Sequence, residues 1–484
     1  MTGSSATATH LDPDCSYAVL ICDLVGLRFG SDGRPDCSEV RTHIEARGGV
    51  FHDGPIIAAG PLARGRIHFF YQPDLSAGPE LIAAAGAGDY DAVIAAATVL
   101  PAETIFALGG VRIGAGTGNM GSASWGGGSG EGGTAVLMNT PGINSRATAQ
   151  MVMKAILRVL PDLDVDRLDA RVVAGDFDTG RDLKDFPTEK LEGKTIAILG
   201  YGNIGREVAK LARAFGLRIV IHAREHHRRW IENEGFVYAS TPRAAAEDAD
   251  ILSVHVGLGP VDGRTGRYAN AGLIDGDLLS ALKPGAVLVN YDRGELVDTA
   301  ALDVALSSGP VAHAAIDADL FKDVETGALS GPMAPYLPLA AIHGGKLHLL
   351  PHAAADTDHP SRVAGARQAV DQIIDLICHR TVTNLKGTLP DGFRSAGDRT
   401  PPGIGPVTRQ HLLALTADQG IVATLADLAA AQHRIWTLIG AAPTEAARTA
   451  ILSEHAETLI ESVNQAASLT QTLGLSGPYR PSKG

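Results

Sequence analysis

The segment Lys194-Thr-Ile-Ala-Ile-Leu-Gly-Tyr-Gly-Asn-Ile-Gly-Arg-Glu-Val-Ala209 constrains the fold of this chain more than any other. An apolar run of strand length, Thr195–Leu199, enters Gly200, Gly202 and Gly205 at the spacing GxGxxG. Behind them Val208, Leu211, Ala212 and Phe215 recur at helical spacing. A lone GxGxxG says little. A strand entering it and an amphipathic helix leaving it predict the first crossover of a doubly wound parallel sheet. The first glycine makes the turn, the second lets the backbone amides of Asn203 and Ile204 approach an anion, and the third packs helix on strand. A pyrophosphate fits such a helix N-terminus, where unpaired N–H groups and the helix dipole favour negative charge.

The next strand, Arg218–His222, ends in Ala223-Arg224-Glu225-His226-His227-Arg228-Arg229. A site for NAD places a carboxylate at that strand end to bind the ribose hydroxyls. Its absence, and the fork of Arg224, favour the 2′-phosphate of NADP(H) over NAD. Further strand patterns at 251–255, 286–290 and 314–317 alternate with helices, as such a sheet requires. Ahead of this unit, apolar runs at 17–22, 66–71, 90–97 and 110–115 predict a second α/β unit. Between the two lies Gly109–Gly133, where glycine is densest. Its half Ser122-Ala-Ser-Trp-Gly-Gly-Gly-Ser-Gly-Glu-Gly-Gly133 reads as a flexible surface loop. After Asp391, Pro401-Pro402-Gly403 marks a boundary before two helical patterns, 407–439 and 444–473. The fold expected is α/β: two Rossmann-like or flavodoxin-like parallel-sheet domains with a C-terminal helical extension. Domains are placed at 1–143 plus 351–390 for substrate, 144–350 for the dinucleotide, and 391–484 for oligomerisation.

Composition excludes several function classes. With 41 basic and 54 acidic residues the net charge is −13, and no long basic run occurs, which argues against nucleic-acid and anionic-membrane partners. The cysteines Cys15, Cys22, Cys37 and Cys378 form no CxxC pair and are too few for a disulfide framework, so a reduced, cytoplasmic compartment is expected. Met1–His10 shows neither a basic nor an apolar leader region, and no metal-ligand spacing is visible.

Two later segments carry the chemistry. Leu282-Lys-Pro-Gly-Ala-Val-Leu-Val-Asn-Tyr-Asp-Arg-Gly-Glu-Leu-Val-Asp298 supplies Arg293, a planar fork suited to a carboxylate, and Leu350-Pro-His-Ala-Ala-Ala-Asp-Thr357 supplies His352, which can carry a proton near neutral pH. Together with the strand Ala314-Ala-Ile-Asp317, in this order and behind the glycine unit, they closely resemble the D-2-hydroxyacid dehydrogenases. The resemblance spans about Tyr17 to Leu389. It implies a hydride exchanged between a nicotinamide and a small 2-oxo or 2-hydroxy acid, with Arg293 on the carboxylate and His352 as acid or base. It further implies that the amides of Thr117 and Gly118, in Ala115-Gly-Thr-Gly-Asn119, hold the carboxylate, and that Asn144 binds substrate as in the family's formate dehydrogenases. His255, Val256, Tyr291 and Asp317 fall at positions that border the cofactor, and a homodimer or tetramer is the assembly it suggests.

Departures from the family pattern lie in the same region. The family orients its histidine with a glutamate whose position is Lys322 here, so Asp319, Asp323 or Glu325 is expected to substitute. Gln150 and Met120 also replace common family residues. Two other readings stay open: a dehydrogenase of a small anion such as formate or phosphite, and a cofactor-sensing binding protein like the family's co-repressors.

Overall fold

The apolar run that precedes the glycines is an interior strand of a seven-stranded sheet. The computed structural model describes residues 11–24, 27–75, 78–160, 164–188, 190–352, 357–398 and 419–472. The first sheet contains β1 (Ser16–Ile21), β2 (Val50–Asp53), β3 (Arg66–Tyr71), β4 (Ala92–Ala95), β5 (Gly109–Arg112) and β6 (Val136–Asn139). The second contains β7 (Thr195–Leu199), β8 (Arg218–His222), β9 (Val237–Ala239), β10 (Ile251–Val254), β11 (Ala286–Asn290) and β12 (Val311–Ala318). After a two-stranded hairpin, β13 (Phe321–Lys322) and β14 (Leu329–Ser330), it is completed by β15 (Leu347–Pro351).

The second sheet is parallel throughout, in the order β15-β12-β11-β10-β7-β8-β9. The chain runs outward from β7 to β9, returns to lay β10 beside β7, and runs outward again. The strand order therefore reverses between β7 and β10, and a crevice opens at their carboxyl ends. Every residue of β10 and β11 is buried, as helices on both faces of a parallel sheet require.

The first sheet runs β17-β6-β5-β4-β1-β3-β2. Two short strands, β16 (Thr381–Val382) and β17 (Leu385–Lys386), follow the second sheet in sequence, and β17 returns to pair antiparallel with β6. The His359–His379 helix comes back with it: its Val363, Ala366, Val370 and Ile373 share one apolar core with Val19, Phe69 and Ile94. In the other direction, the Ser145–Val159 helix gives Val152, Ile156 and Val159 to the core under Ile196, Ile198 and Val208. The expected strands are present, and β2, β6, β9 and β15 add to them.

The segment expected to be a flexible loop is folded. Ala123–Trp125 and Gly127–Ser129 are turns of 3-10 helix, and the Trp125 side chain is fully buried. Its ring stacks on Phe106 with centroids 5.9 Å apart, and its Nε1 donates to the Met120 carbonyl at 2.9 Å. The glycines serve packing: a Cβ on Gly133 would collide with the Trp125 backbone. The composition looked like a linker because glycine satisfies close approach as well as flexibility.

The chain divides into two units between residues 399 and 400. The second is a helical hairpin of Gln419–Ala441 and Glu445–Thr472 packed on each other. The part of the first helical pattern before residue 419, and residue 473 of the second, lie outside the described residues. No helix among the described residues is long and apolar enough to cross a membrane.

Candidate active site

Three neighbouring strands deliver the chemical residues. β11 ends at Asn290 and leads into Tyr291-Asp292-Arg293, β12 ends around Asp317, and β15 leads into His352. The register pairs Asp317 with Leu350 and Ala318 with Pro351, so the aspartate lies beside the residues that run into His352. The result is a chain of contacts across the strand ends. His352 Nδ1 lies 2.5 Å from Asp317 Oδ1, and Arg293 Nη1 lies 3.0 Å from His352 Nε2. A guanidinium can only donate, so Nε2 accepts and Nδ1 carries the proton that is donated to Asp317. The histidine is thereby fixed in one tautomer and one orientation.

Arg293 and His352 border a cavity of about 280 Å³, lined also by Leu258, Tyr268, Asp292 and Glu295 among others. Asp317 raises the His352 pKa by its hydrogen bond and again by its charge, while burial and the Arg293 guanidinium pull it down; the net direction is upward. Beside it, burial pushes the Asp292 carboxyl up to about 6, with Arg293 and His352 opposing. The cavity sets Arg293, a permanent cation, and a histidine of raised pKa beside the carboxyls of Asp292, Glu295 and Asp319; the cation can hold a carboxylate and the histidine can pass a proton to an oxygen beside it.

The glycine turn has the shape a dinucleotide needs. Gly200 adopts φ +99°, and a Cβ there would collide with the His255 carbonyl oxygen and meet Val256 Cγ1 at 3.0 Å. Gly202 has open space where its side chain would be, and it starts the Asn203–Ala214 helix without a side-chain cap. The first amides of that helix, those of Asn203 and Ile204 included, lie at a positive helix end that Gly202 does not cap. Gly205 leaves no room for a Cβ against the Gly200 carbonyl. These residues fit a dinucleotide pyrophosphate.

The remaining positions fall as follows. The His255 ring is buried, with Nε2 2.8 Å from Ser253 Oγ, and burial drives its pKa down to about 3. It is a neutral imidazole at the turn. Tyr291 is buried under β11, where burial and then Asp317 push its phenol up to about 12. Arg224 is exposed, and no carboxylate pairs with it among the described residues. Glu225 accepts from Tyr238 Oη at 2.9 Å and pairs with Arg228 at 3.7 Å. On the first lobe, the turn Ala115–Asn119 is held by Asn139 Nδ2, which donates to the Ala115 carbonyl, and by Thr117 Oγ1, which donates to Gly128 O at 2.7 Å. The carbonyl of Asn144 accepts from Thr148 N at 2.9 Å at the start of its helix. Thr117, Gly118 and Asn144 are not among the residues lining the Arg293–His352 cavity.

Residues 156–353 match the model of the D-isomer specific 2-hydroxyacid dehydrogenase NAD binding domain. A glyoxylate reductase of Aeropyrum pernix is 34% identical over 250 residues, 51% of this chain and 68% of that protein. The chain belongs to the D-isomer specific 2-hydroxyacid dehydrogenase family. An erythronate-4-phosphate dehydrogenase of Bacteroides thetaiotaomicron is 30% identical over 179 residues, 37% of this chain and 42% of that protein. The crystal structure of a glyoxylate reductase from Paecilomyes thermophila covers 75% of this chain and 95% of its own, at 22% identity and a TM-score of 0.49.

Within this 2-hydroxyacid dehydrogenase family the histidine's partner is the point of departure. Lys322, at the glutamate position, is exposed in the β13–β14 hairpin. Asp323 accepts from Thr326 N and Oγ1 within that hairpin, and Glu325 is exposed at its tip. Neither reaches His352. The expectation of a substitute among Asp319, Asp323 and Glu325 is corrected for the hydrogen bond, which Asp317 makes; Asp319 adds its charge, which also raises the His352 pKa. The register of β12 against β15, which the sequence does not display, is the reason. Asp319 lines the cavity. Asp292 and Glu295 also line it, and sequence reasoning missed both; their place next to Arg293 was the available signal.

Proposed function

We propose that this dehydrogenase-family chain transfers hydride between a nicotinamide cofactor and a small 2-oxo or 2-hydroxy acid. The observation that carries the reading is the contact chain Arg293–His352–Asp317 at the edge of one cavity. When bound, the cofactor supplies or accepts the hydride. Arg293 binds the substrate carboxylate as a fork. His352, held through Nδ1 by Asp317, presents Nε2 to the substrate oxygen. In reduction Nε2–H gives its proton to the carbonyl oxygen as charge develops there; in oxidation Nε2 takes the hydroxyl proton. Asp317 holds the ring and stabilises its protonated form, as a buried carboxylate beside a catalytic histidine does.

The open amide turn at Thr117 and Gly118 supplies further donors for the carboxylate, and Asn144 a side-chain amide. The exposed Arg224, which has no carboxylate partner among the described residues, serves the 2′-phosphate of NADP(H), since Glu225 is drawn off by Tyr238 and Arg228. The helical hairpin Gln419–Thr472 is an oligomerisation element that makes a homodimer or tetramer, because such a hairpin alone cannot bury both its faces. The test is a panel of 2-oxo acids, glyoxylate first, with NADPH and NADH. Loss of the reduced-nicotinamide absorbance with at least one acid is expected. Tight cofactor binding with no turnover of any acid would remove the enzyme reading and favour a cofactor sensor.

A further inference from the structure

The turn that carries Arg293 is held from beneath by a residue that no motif marks. Arg293 is exposed and is followed by a single 3-10 turn, Gly294–Leu296, so its guanidinium is only as well placed as that backbone. Two successive carbonyls of the turn are tied. Asn290 Nδ2 donates to Arg293 O at 2.8 Å, and Tyr336 Oη donates to Gly294 O at 2.5 Å. Tyr336 is 1% exposed and opens the Tyr336–Ile342 helix. The chain reaches that point through a tight turn in which Met333 N donates to Asp319 O at 2.9 Å and Tyr336 N to Met333 O at 3.0 Å.

Gly294 is also confined sideways. A Cβ on it would stand 2.9 Å from the Ala318 Cβ and 3.0 Å from the Pro332 carbonyl oxygen. Gly294, Ala318, Asp319 and Pro332 all line the cavity. The arginine turn, that wall and Tyr336 therefore form one packed unit in which the phenol hydroxyl is the polar pin. A tyrosine that only filled the core would need its ring and not its hydroxyl. Here the hydroxyl gives the buried Gly294 carbonyl a second and shorter bond, beside the 3.3 Å bond it accepts from Val297 N at the end of the turn.

We propose that Tyr336 is a positioning residue for Arg293: by pinning the Gly294 carbonyl, its hydroxyl sets where the guanidinium meets the substrate carboxylate. This rests on Arg293 being the carboxylate ligand. Tyr336→Phe keeps the ring and removes the shorter of the two bonds to the Gly294 carbonyl, so the fold is retained while the turn is loosened. The full chain is assayed for kcat and KM with glyoxylate and NADPH, for the Kd of oxalate as a carboxylate probe, for the Kd of NADPH, and for melting temperature. Glyoxylate KM and oxalate Kd rise about tenfold, kcat stays within about threefold, and NADPH affinity is unchanged, since a contact made in ground and transition states alike acts on KM.

Tyr90→Phe is the control. Tyr90 is a buried tyrosine of the first lobe whose Oη is 2.8 Å from Gln72 Nε2, and its loss lowers the melting temperature without moving either constant. If Tyr336→Phe behaves as Tyr90→Phe does, with wild-type KM and oxalate Kd, the proposal is overturned. A wild-type protein that binds oxalate but reduces no 2-oxo acid contradicts the proposed activity alone, and the oxalate Kd of the variant still decides the role of Tyr336. A wild-type protein that binds no oxalate contradicts both.

Discussion

His352 Nδ1 and Asp317 Oδ1 stand 2.5 Å apart although 35 residues separate them in sequence. The parallel pairing of β12 with β15 brings them together. Asp317 raises the pKa of His352, so the ring keeps its proton to higher pH in the folded protein. The stabilisation this gives is fully present below the unfolded pKa near 6.5 and is lost as pH rises through the folded value. In the proposed mechanism reduction needs the protonated ring, so its rate is expected to fall over the same upper range. Asp317→Asn is expected to lower kcat about 100-fold or more, within the range of general acid–base contributions, and to move the alkaline limb of the kcat profile to lower pH. A pH–rate profile of both proteins checks this; an unmoved limb contradicts the pairing.

Asp292 places a carboxyl inside the cavity that is to receive an anion, and burial lifts it from 3.8 to about 6. The folded state thus binds this proton more tightly than the unfolded one, and stability falls as pH rises from about 4 to about 6. Asp292→Asn removes that loss. The variant should melt higher than wild type at about pH 8, and the difference should close toward about pH 4. Its KM for a 2-oxo acid at the higher pH should fall, because the ionised carboxylate no longer competes beside Arg293. Melting curves and KM across pH test both arms.

Arg224 is exposed and has no acidic partner among the described residues. A charge-assisted hydrogen bond is worth about 1.5–3 kcal/mol, or about 10- to 100-fold in affinity. Arg224→Ala should weaken NADPH by that factor and leave NADH unchanged. Equal effects on both cofactors, or none on NADPH, remove the 2′-phosphate assignment.

The glycine-rich segment is folded around Trp125, which is fully buried against Phe106. Trp125→Ala should cost about 3–5 kcal/mol of stability, as for other buried aromatic side chains. Limited proteolysis should leave residues 121–133 intact in the wild type and cut them in the variant. Cleavage of the wild type there would contradict the packing.

The sheet carrying Gly200, Gly202 and Gly205 was legible because a strand, a fixed glycine spacing and a helix period coincide there. Arg293 and His352 were legible because each sits in a dense local motif. Asp317 as the histidine's partner was not, because it depends on the register of two strands whose connecting stretch, 319–346, has its own hairpin and helix. Trp125 was not, because glycines that let backbones touch look the same in sequence as glycines that let a chain move. Tyr336 lies in no motif, and only the fold shows which carbonyl its hydroxyl meets.

In the proposed function Arg293 and His352 act together on a 2-oxo acid beside a reduced nicotinamide. The most direct measurement is the rate of NADPH oxidation by glyoxylate in the wild type, Arg293→Ala and His352→Ala. Turnover is expected in the wild type, with kcat/KM lowered at least about 100-fold in each variant and cofactor binding retained in both. Turnover in either variant at the wild-type rate would contradict it.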